Sequence, residues 1–421
     1  MLAPAPFRLV LLLFLLAACA RSNGLTDGGS PDGGSPDGGS ADAGTLAGKM
    51  RAFTEKLGGG HAGHFLIGMG NDGTNSGDDP AYHLGATIDL HYHYLVGLST
   101  EGGWPTWNSN PDYAGKRVRE ARSHGVVPMI TYYAMAAHGD GNVAGSVQDA
   151  SFMNVWWKDF AQVLASINAE GGPVVLQVEP DFWGYLQQRS ASAGGPDKVV
   201  AKVAASGYPE CAGKPDTVAG WGECLLAAIR ARAPNALAGL HASVWGSGMD
   251  VRRNTNPSLD VAGEAARSVG FFRAVGGDRF DFISSDSIDR DAGCYEAGLT
   301  VTGNVICRMR SSSLLDESNA TLPSYRQMLT WFKALTAGLR LPGIWWQLPF
   351  GVPSATPGGT PGHYRDNHTH YVFGHIADFV DAGAVGAVWG TGAGYQTFID
   401  TDGGAYKAAV VAYFASPFRL P

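Results

Sequence analysis

Eight short apolar runs, rich in β-branched and aromatic residues, recur along the chain, and helix-compatible stretches separate most of them. The apolar runs cover residues 65–70, 88–97, 126–135, 174–179, 238–245, 280–285, 343–348 and 385–390. The helical patterns cover residues 113–123, 155–169, 218–233, 261–274, 325–339 and 370–382. Strands that alternate with helices predict parallel β-α units. Eight such units predict an α/β fold that is a single (β/α)8 barrel, with a doubly wound sheet as the alternative.

The N-terminal segment has the pattern of an export signal. Arg8 precedes an apolar run over residues 9–18, which is too short to span a bilayer. The run Leu16-Ala17-Ala18-Cys19 resembles the lipobox of bacterial lipoproteins. That resemblance implies a signal peptide over residues 1–18, acylation of the Cys19 thiol, and retention in the cell envelope at the outer membrane or cell surface. An ordinary signal peptide with an incidental cysteine is the alternative.

A repeated Asp-Gly-Gly-Ser unit follows the leader, beginning at Asp27, Asp32 and Asp37. This segment offers no apolar surface to bury, so we expect residues 19–48 to form a flexible linker. Residues 49–421 are then left for the catalytic barrel, a size that suits this fold with long loops.

The composition excludes several kinds of partner. The 421 residues carry a formal net charge of −8, with 45% hydrophobic and 16% charged residues. Nucleic-acid binding needs clustered Lys and Arg, so we expect no nucleic-acid partner. No later apolar run approaches the length of a membrane span, so the lipid anchor would be the one membrane contact. We expect a monomer.

The five cysteines are consistent with export. With Cys19 assigned to the lipobox, the other four fall as Cys211/Cys224 and Cys294/Cys307, with twelve residues between the members of each pair. Two local disulfides are the simplest pairing, and an exported chain can keep them oxidised. Both pairs lie in loops after the fourth and sixth predicted strands, so we expect them to staple long loops at the rim of the barrel.

Carboxylates follow two of the predicted strands, at the end of the barrel where chemistry is found. The fourth strand runs into Glu179-Pro180-Asp181, and the sixth runs into Asp286. Glycosidic bond cleavage uses one carboxylic acid to protonate the leaving oxygen and a second carboxylate to activate water or to attack. We predict Asp181 or Glu179 as the proton donor and Asp286 as base or nucleophile. Asp402 and Asp72 are lower-ranked candidates for the second carboxylate.

Each of these carboxylates also has a purely structural interpretation. Glu179 could pair with an arginine inside the barrel, Asp181 could cap the following turn, and Asp286 could close an Asx turn.

Aromatic and amide side chains gather at the same strand ends, where rings can stack on the apolar faces of sugars. We predict that they bind a polysaccharide substrate, with no cofactor, through Tyr132, Trp183, His241, Trp245, Trp346 and Gln347.

The run VVLQVEPDFW over residues 174–183 and the later LHASVWG over residues 240–246 resemble glycoside hydrolase family 6, which carries Glu-Pro-Asp at a strand end. The resemblance implies an inverting β-1,4-glucanase with a distorted parallel barrel, and it assigns the general acid to Asp181. The family's Asp-rich loop and its C-terminal Lys-Pro-x-Gly-Glu run have no counterpart here. The second carboxylate and the substrate therefore stay open, and a distinct barrel glycosidase family is an equal alternative.

Two further functions compete with this interpretation. His91 and His93 alternate on the second predicted strand, so both imidazoles face one way and, with His241, could bind a metal ion as in amidohydrolase barrels. We favour histidines that form hydrogen bonds within the rim or to sugar hydroxyls, and we predict no metal site. The other alternative is a non-catalytic glycan-binding lipoprotein that has kept the barrel and lost a carboxylate.

Overall fold

The computed structural model describes residues 44–70, 79–107, 112–135, 139, 142–311, 313–354 and 359–421. The predicted leader, Cys19, most of the predicted linker, and Asp72 lie outside these residues. The first helix begins at Leu46, shortly before the predicted barrel boundary at Lys49.

Eight parallel strands form a closed barrel. They are β1 (Leu66–Gly70), β2 (Leu90–Val96), β3 (Val127–Tyr133), β4 (Val174–Val178), β5 (Ala236–His241), β6 (Phe282–Ser285), β7 (Gly343–Leu348) and β8 (Ala384–Trp389). Each strand pairs with the next in the chain, and β8 pairs with β1. The closed ring confirms the predicted (β/α)8 barrel, and the doubly wound alternative, which has two open sheet edges, is wrong.

Helices surround the barrel and connect its strands. They are α1 (Leu46–Leu57), α2 (Tyr113–Ser123), α3 (Val143–Gln148), α4 (Ala150–Glu170), α5 (Phe182–Ala193), α6 (Val218–Arg232), α7 (Val261–Ala274), α8 (Ala292–Ala297), α9 (Tyr325–Leu339), α10 (His368–Gly374), α11 (Ile376–Asp381) and α12 (Ala405–Ala415). Two short antiparallel hairpins, at Thr300–Val301 with Asn304–Val305 and at Gly359–Thr360 with His363–Tyr364, lie in the loops. None of the described helices has the length and apolar composition needed to cross a membrane.

The strands are nearly continuous apolar runs because both of their faces are covered, one by the barrel interior and one by the helices. All residues of β4, β5 and β7 are buried. On β2 the rings of Tyr92 and Tyr94 reach Trp346, with centroids 5.8 and 5.6 Å away. A Cβ at Gly390, just after β8, would come within 1.7 Å of the Tyr92 hydroxyl, so this position needs glycine.

Both predicted disulfides are present, in the connections that follow β4 and β6. The expected rim position is wrong for Cys211–Cys224, because Glu210 beside Cys211 pairs with Arg232 in the last turn of α6, shortly before β5 begins. Cys211–Cys224 ties the segment after α5 to helix α6, and its Cα atoms are 4.9 Å apart. Cys294–Cys307 ties α8 to the chain that follows the first short hairpin, with Cα atoms 5.7 Å apart. The long loops after β4 and β6 are therefore each closed by a covalent bond.

Both ends of the described chain lie at the base of the barrel, where the strands begin. Arg340, just before β7, donates a hydrogen bond to the carbonyl oxygen of Gly44 at 2.8 Å. The backbone N–H of Phe65, just before β1, donates to the carbonyl oxygen of Phe418 at 2.9 Å. The chain thus enters and leaves the barrel on the face opposite to the strand ends.

Candidate active site

A cleft of about 550 Å³ opens at the carboxyl ends of β4, β5 and β6. Its walls come from the start of α5, the loops after β5 and β6, and the segment that follows Cys307. The lining residues are Asp181, Tyr185, Gln188, Trp245, Asp250, Arg252, Arg253, Asp286, Asp289, Arg290, Tyr295, Val305, Ile306, Arg308 and Arg310. Two of the three predicted catalytic carboxylates, Asp181 and Asp286, therefore meet in one cleft.

Asp181 stands at the first turn of α5 with its side chain directed to the cleft. Its backbone has a positive φ of 63°, which is uncommon for a residue with a side chain. The carboxylate does not cap helix α5, so the structural role considered for it as a turn cap is absent. Instead its Oδ1 accepts a hydrogen bond from the Ser243 hydroxyl at 3.4 Å.

Glu179 is fully buried, although it lies only two residues before Asp181. Its carboxylate accepts hydrogen bonds from the Trp156 indole N–H at 2.7 Å and from the backbone N–H groups of Ala134 and Met135 at 3.1 and 3.3 Å. Burial raises its pKa to about 8, although these hydrogen bonds lower it. Glu179 thus ties the end of β4 to the end of β3 and to α4, away from the cleft.

Asp286 lies on the floor of the cleft with each oxygen held by a different partner. Oδ1 is 3.2 Å from Nε2 of His241, and Oδ2 accepts a hydrogen bond from the Arg252 guanidinium at 2.9 Å. Burial alone would raise its pKa, but Arg252 and the His241 contact outweigh burial and lower it to about 2. Asp286 is therefore ionised throughout the ordinary pH range.

His241 is oriented by a polar layer inside the barrel. Its Nδ1 lies 3.3 Å from Nε2 of Gln177, which donates only, so Nδ1 is the acceptor and Nε2 carries the proton. Gln177 also donates to the Ser284 hydroxyl at 2.8 Å and accepts from the Thr131 hydroxyl at 2.8 Å. This layer directs the His241 N–H at Asp286.

Asp181, His241 and Asp286 form a compact group. One polar atom of each side chain lies within 4.8 Å of the others. Such a set could hold a cation in another context, but here the Arg252 guanidinium occupies one oxygen of Asp286 and the His241 N–H faces the other. The arrangement suits proton transfer and charge stabilisation between two carboxylates.

Apart from His241, which contacts Asp286, the predicted sugar-binding residues separate into three sets. Trp245 lines the cleft and packs on Tyr185, with ring centroids 4.7 Å apart. Trp346 lies in the barrel mouth 5.4 Å from the His241 ring, and the Gln347 amide donates to the Tyr94 hydroxyl at 2.6 Å. The third set does not reach the cleft; it consists of Tyr132, which is packed between barrel and helices against Trp156 and Phe160, and Trp183, which is stacked on Trp221.

Of the three histidines of the metal-site alternative, His91 and His93 lie together and His241 lies apart from them. His91 and His93 point away from the barrel interior, because the intervening Tyr92 points into it. They lie in a group with Asp79, whose Oδ2 is 3.1 Å from Nε2 of His91. His241 belongs to the separate group with Asp181 and Asp286. Both ring nitrogens of buried His93 have no hydrogen-bond partner among the described residues.

The arginines of the cleft were not foreseen from the sequence. They are Arg252, Arg253, Arg290, Arg308 and Arg310, and they come from loops that follow β5 and β6. The available signal was the pair of short basic clusters, Arg252-Arg253 and Arg308-Met309-Arg310, in a chain with few charges. Neither cluster directly follows a strand, so the expectation that site residues come at strand ends does not point to either cluster.

No protein-family model matches the chain. No curated protein matches it either. Among solved structures it is similar to virulence factor SghA from Agrobacterium tumefaciens, at 11% identity and a TM-score of 0.44, over 86% of this chain and 99% of that one. A β-glucosidase from Thermotoga maritima gives 11% and 0.42 over 79% and 84% of the two chains. The catalytic domain of Cellulomonas fimi Cel6B gives 11% and 0.35 over 74% and 66%. We therefore argue the function from the site's own geometry.

Proposed function

We propose that this protein is a glycoside hydrolase that cleaves a polysaccharide with two carboxylates, Asp181 and Asp286. The observation that carries the proposal is their proximity, within 4.8 Å, in a cleft that also contains Trp245. Repulsion between two such close carboxylates favours the form in which only one is charged. Because Arg252 and His241 stabilise the charge on Asp286, we assign the role of proton donor to Asp181.

These charges decide which role each carboxylate takes. Asp181 donates its proton to the glycosidic oxygen as the bond to the anomeric carbon breaks. Ionised Asp286 attacks that carbon and forms a glycosyl ester, so the leaving sugar departs with the proton from Asp181. Water then attacks the same carbon while Asp181 takes back a proton, and Asp286 is released as carboxylate.

The short spacing of the carboxylates favours retention of anomeric configuration. Retaining enzymes hold their carboxyl groups about 5–5.5 Å apart, whereas inverting enzymes need about 6.5–9.5 Å to place a water between them. The nearest polar atoms of Asp181 and Asp286 lie within 4.8 Å of each other, which is close enough for the retaining arrangement. This departs from the inverting chemistry implied by the resemblance to glycoside hydrolase family 6.

Glu179 takes a positioning role in this proposal. Its carboxyl group holds the turn on which Asp181 stands, through Trp156 and the N–H groups at the end of β3. Positive φ values at Glu179 (52°) and Asp181 (63°) show that the turn is held in an uncommon conformation. Such strain costs about 1–3 kcal/mol per residue and persists where the surroundings hold it.

Substitution of each carboxyl group tests the proposal. We expect Asp181→Asn to lower kcat/KM by about 10²–10⁴-fold, the range for loss of a general acid. Asp286→Asn should cause a comparable loss, and Glu179→Gln a smaller one. Asp378→Asn, on the exposed outer surface of α11, is the matched control and should be unchanged. Release of reducing ends from a polysaccharide panel gives the rates, and NMR of the first-formed product should show retention.

Two outcomes would contradict the assignment. Full activity in both Asp181→Asn and Asp286→Asn would remove these residues from the chemistry. Retention of polysaccharides on an affinity gel without release of reducing ends by the wild-type protein would point to the non-catalytic glycan-binding alternative.

We also propose that the protein is held at the cell envelope through a lipid on Cys19, with residues 1–18 removed and the following residues acting as a linker. The support is the run Leu16-Ala17-Ala18-Cys19 and the Gly- and Ser-rich repeat after it. Labelling of cells with a radioactive fatty acid should mark the protein, and Cys19→Ala should abolish the label. A labelled Cys19→Ala protein would disprove lipidation at this residue.

A further inference from the structure

The cleft has more positive than negative side chains, although the whole chain carries a formal charge of −8. Five arginines and four aspartates line it. Arg252 contacts Asp250 and Asp286, at 3.2 and 2.9 Å, and Arg290 contacts Asp289. These contacts account for two of the five arginines and three of the four aspartates.

The other three arginines, which we call the arginine wall, are Arg253, Arg308 and Arg310. None of them has an ion pair to a carboxylate among the described residues. The Nε atom of Arg253 is buried and has no hydrogen-bond partner there either. Arg310 stacks on the Tyr295 ring, 5.2 Å from its centroid. Burial lowers the pKa of Arg253, and the nearby positive charge of Arg310 lowers it further.

The Cys294–Cys307 disulfide holds the segment that carries two residues of the arginine wall, Arg308 and Arg310. Arg308 directly follows Cys307, and the backbone N–H of Arg310 donates to the carbonyl oxygen of Tyr295 on α8 at 2.8 Å. The N–H of Cys307 likewise donates to the Leu299 carbonyl oxygen at 3.0 Å. The backbone that carries Arg308 and Arg310 is thereby tied to α8 and to the hairpin that follows it, beside the cleft.

Unpaired guanidinium groups gathered in a cleft favour an anionic ligand, because arginine binds carboxylate, sulfate and phosphate groups through paired N–H donors. We propose that the substrate is an acidic polysaccharide, whose anionic groups bind to Arg253, Arg308 and Arg310 while a neighbouring glycosidic bond lies at Asp181 and Asp286. This inference rests on the proposed hydrolase function and adds the chemical class of its substrate. The anionic group can be the carboxylate of a uronic acid or a sulfate ester, since both offer the same oxygens.

Affinity gel electrophoresis of the full chain tests the inference. The probes are polygalacturonate, alginate and hyaluronate, each beside its carboxyl-reduced neutral form, with chondroitin sulfate and dextran sulfate as the sulfated arm. We expect the acidic forms to be bound at least about tenfold more tightly than their neutral counterparts, as expected for charge-assisted hydrogen bonds. That binding should weaken between about 0.05 and 0.5 M salt, because exposed charges are screened over that range.

Arginine variants give the matched comparison. Arg308→Gln and Arg310→Gln should each weaken binding of the acidic polymers about tenfold and leave binding of the neutral forms unchanged. Arg326→Gln, an exposed arginine on α9 outside the cleft, removes the same charge elsewhere and should behave as wild type. Stronger binding in the uronate arm or in the sulfated arm identifies which anionic group the wall recognises.

Three results would overturn the inference: equal binding of acidic and neutral forms, no binding of either form, or unchanged binding in both wall variants. If the wild type binds duplex DNA and both wall variants lose that binding while their binding of acidic polysaccharides is unchanged, the wall is a nucleic-acid site instead. The hydrolase proposal is judged separately by release of reducing ends. If acidic polymers bind through the wall and none is cleaved, the hydrolase proposal fails and the anionic site stands. If a neutral polymer is cleaved at the same rate by the wild type and the wall variants, the hydrolase proposal stands and the proposed acidic substrate is wrong.

Discussion

Asp286 has its charge fixed before any ligand enters the cleft. One oxygen accepts from the Arg252 guanidinium and the other from the His241 ring N–H. Removing one partner of a buried ion pair typically costs about 3–5 kcal/mol, because the remaining charge is left without compensation. Arg252 therefore serves both the fold and the proposed chemistry. Its positive charge compensates the buried negative charge of Asp286, and this keeps Asp286 ionised for its proposed role as nucleophile.

The pKa of Glu179 is raised, whereas that of Asp286 is lowered, and this predicts how the stability of the protein depends on pH. Burial raises the pKa of this carboxyl from 4.5 to about 8, so the fold prefers its neutral form. Its contribution to stability is fully present below about pH 4.5 and is lost as the pH rises through about 8. Between those values the free energy of unfolding falls by up to about 1.4 kcal/mol per pH unit for one such group.

Glu179→Gln keeps the size of the side chain and removes its titration. We expect the wild type to lose stability relative to this variant as the pH rises from 5 to 8, measured by urea denaturation at each pH. Asp291, whose pKa burial and Asp366 raise to about 8, is present in both proteins and cancels in the difference. Equal slopes in the two proteins would show that Glu179 is already ionised in the fold.

The expectation that site residues directly follow the strands was enough to place Asp181 and Asp286 together, because residues that follow barrel strands lie at one rim. It could not separate Glu179 from Asp181. That separation depends on a turn with positive φ at both residues, which sends one carboxyl under Trp156 and the other into the cleft. No periodicity in the sequence encodes such a turn.

At the scale of elements, the two disulfides form a natural matched pair. Each joins cysteines that are 13 residues apart. Cys294–Cys307 is followed directly by Arg308 of the arginine wall, whereas Cys211 and Cys224 do not line the cleft. A disulfide that closes a loop of this length stabilises the folded protein by about 3 kcal/mol.

We expect the double variants Cys294→Ser/Cys307→Ser and Cys211→Ser/Cys224→Ser to lose similar stability, by thermal denaturation. Only the first should raise KM for an acidic polysaccharide, because only that staple fixes Arg308 and Arg310. An equal rise of KM in both variants would mean that the staples act through global stability and not through the arginine wall.

Some elements departed from their predicted bounds for local physical reasons. The predicted helix over residues 370–382 is two helices, α10 and α11, with an interruption at His375 that follows Gly374. The strand expected over residues 238–245 ends at His241, and the chain then turns with Trp245 in the cleft wall. In β2 apolar and aromatic residues occupy both faces, so the sequence does not show which face is interior. His91 and His93 were expected at the rim, but they are on the face of the strand that is directed at the helices.

For the whole molecule, the alternation of buried parallel strands with helices was sufficient to predict the closed barrel. Its proposed ligand chemistry was not predictable in the same way, because the arginine wall is assembled from residues about 55 positions apart in two loops. Composition alone, with a net charge of −8, gave no indication of a site for anionic groups. The local field at a cleft depends on which few side chains meet there, and that depends on the tertiary fold.

The position of the two chain ends at the base has a practical meaning for how the barrel is presented. A support attached before Gly44 or after Pro421 would hold the molecule by the pole remote from its opening. Such an attachment leaves the cleft on the side of the molecule that faces away from the support. Tags, display scaffolds and surfaces can therefore be joined next to Gly44 or after Pro421 without crowding the entrance.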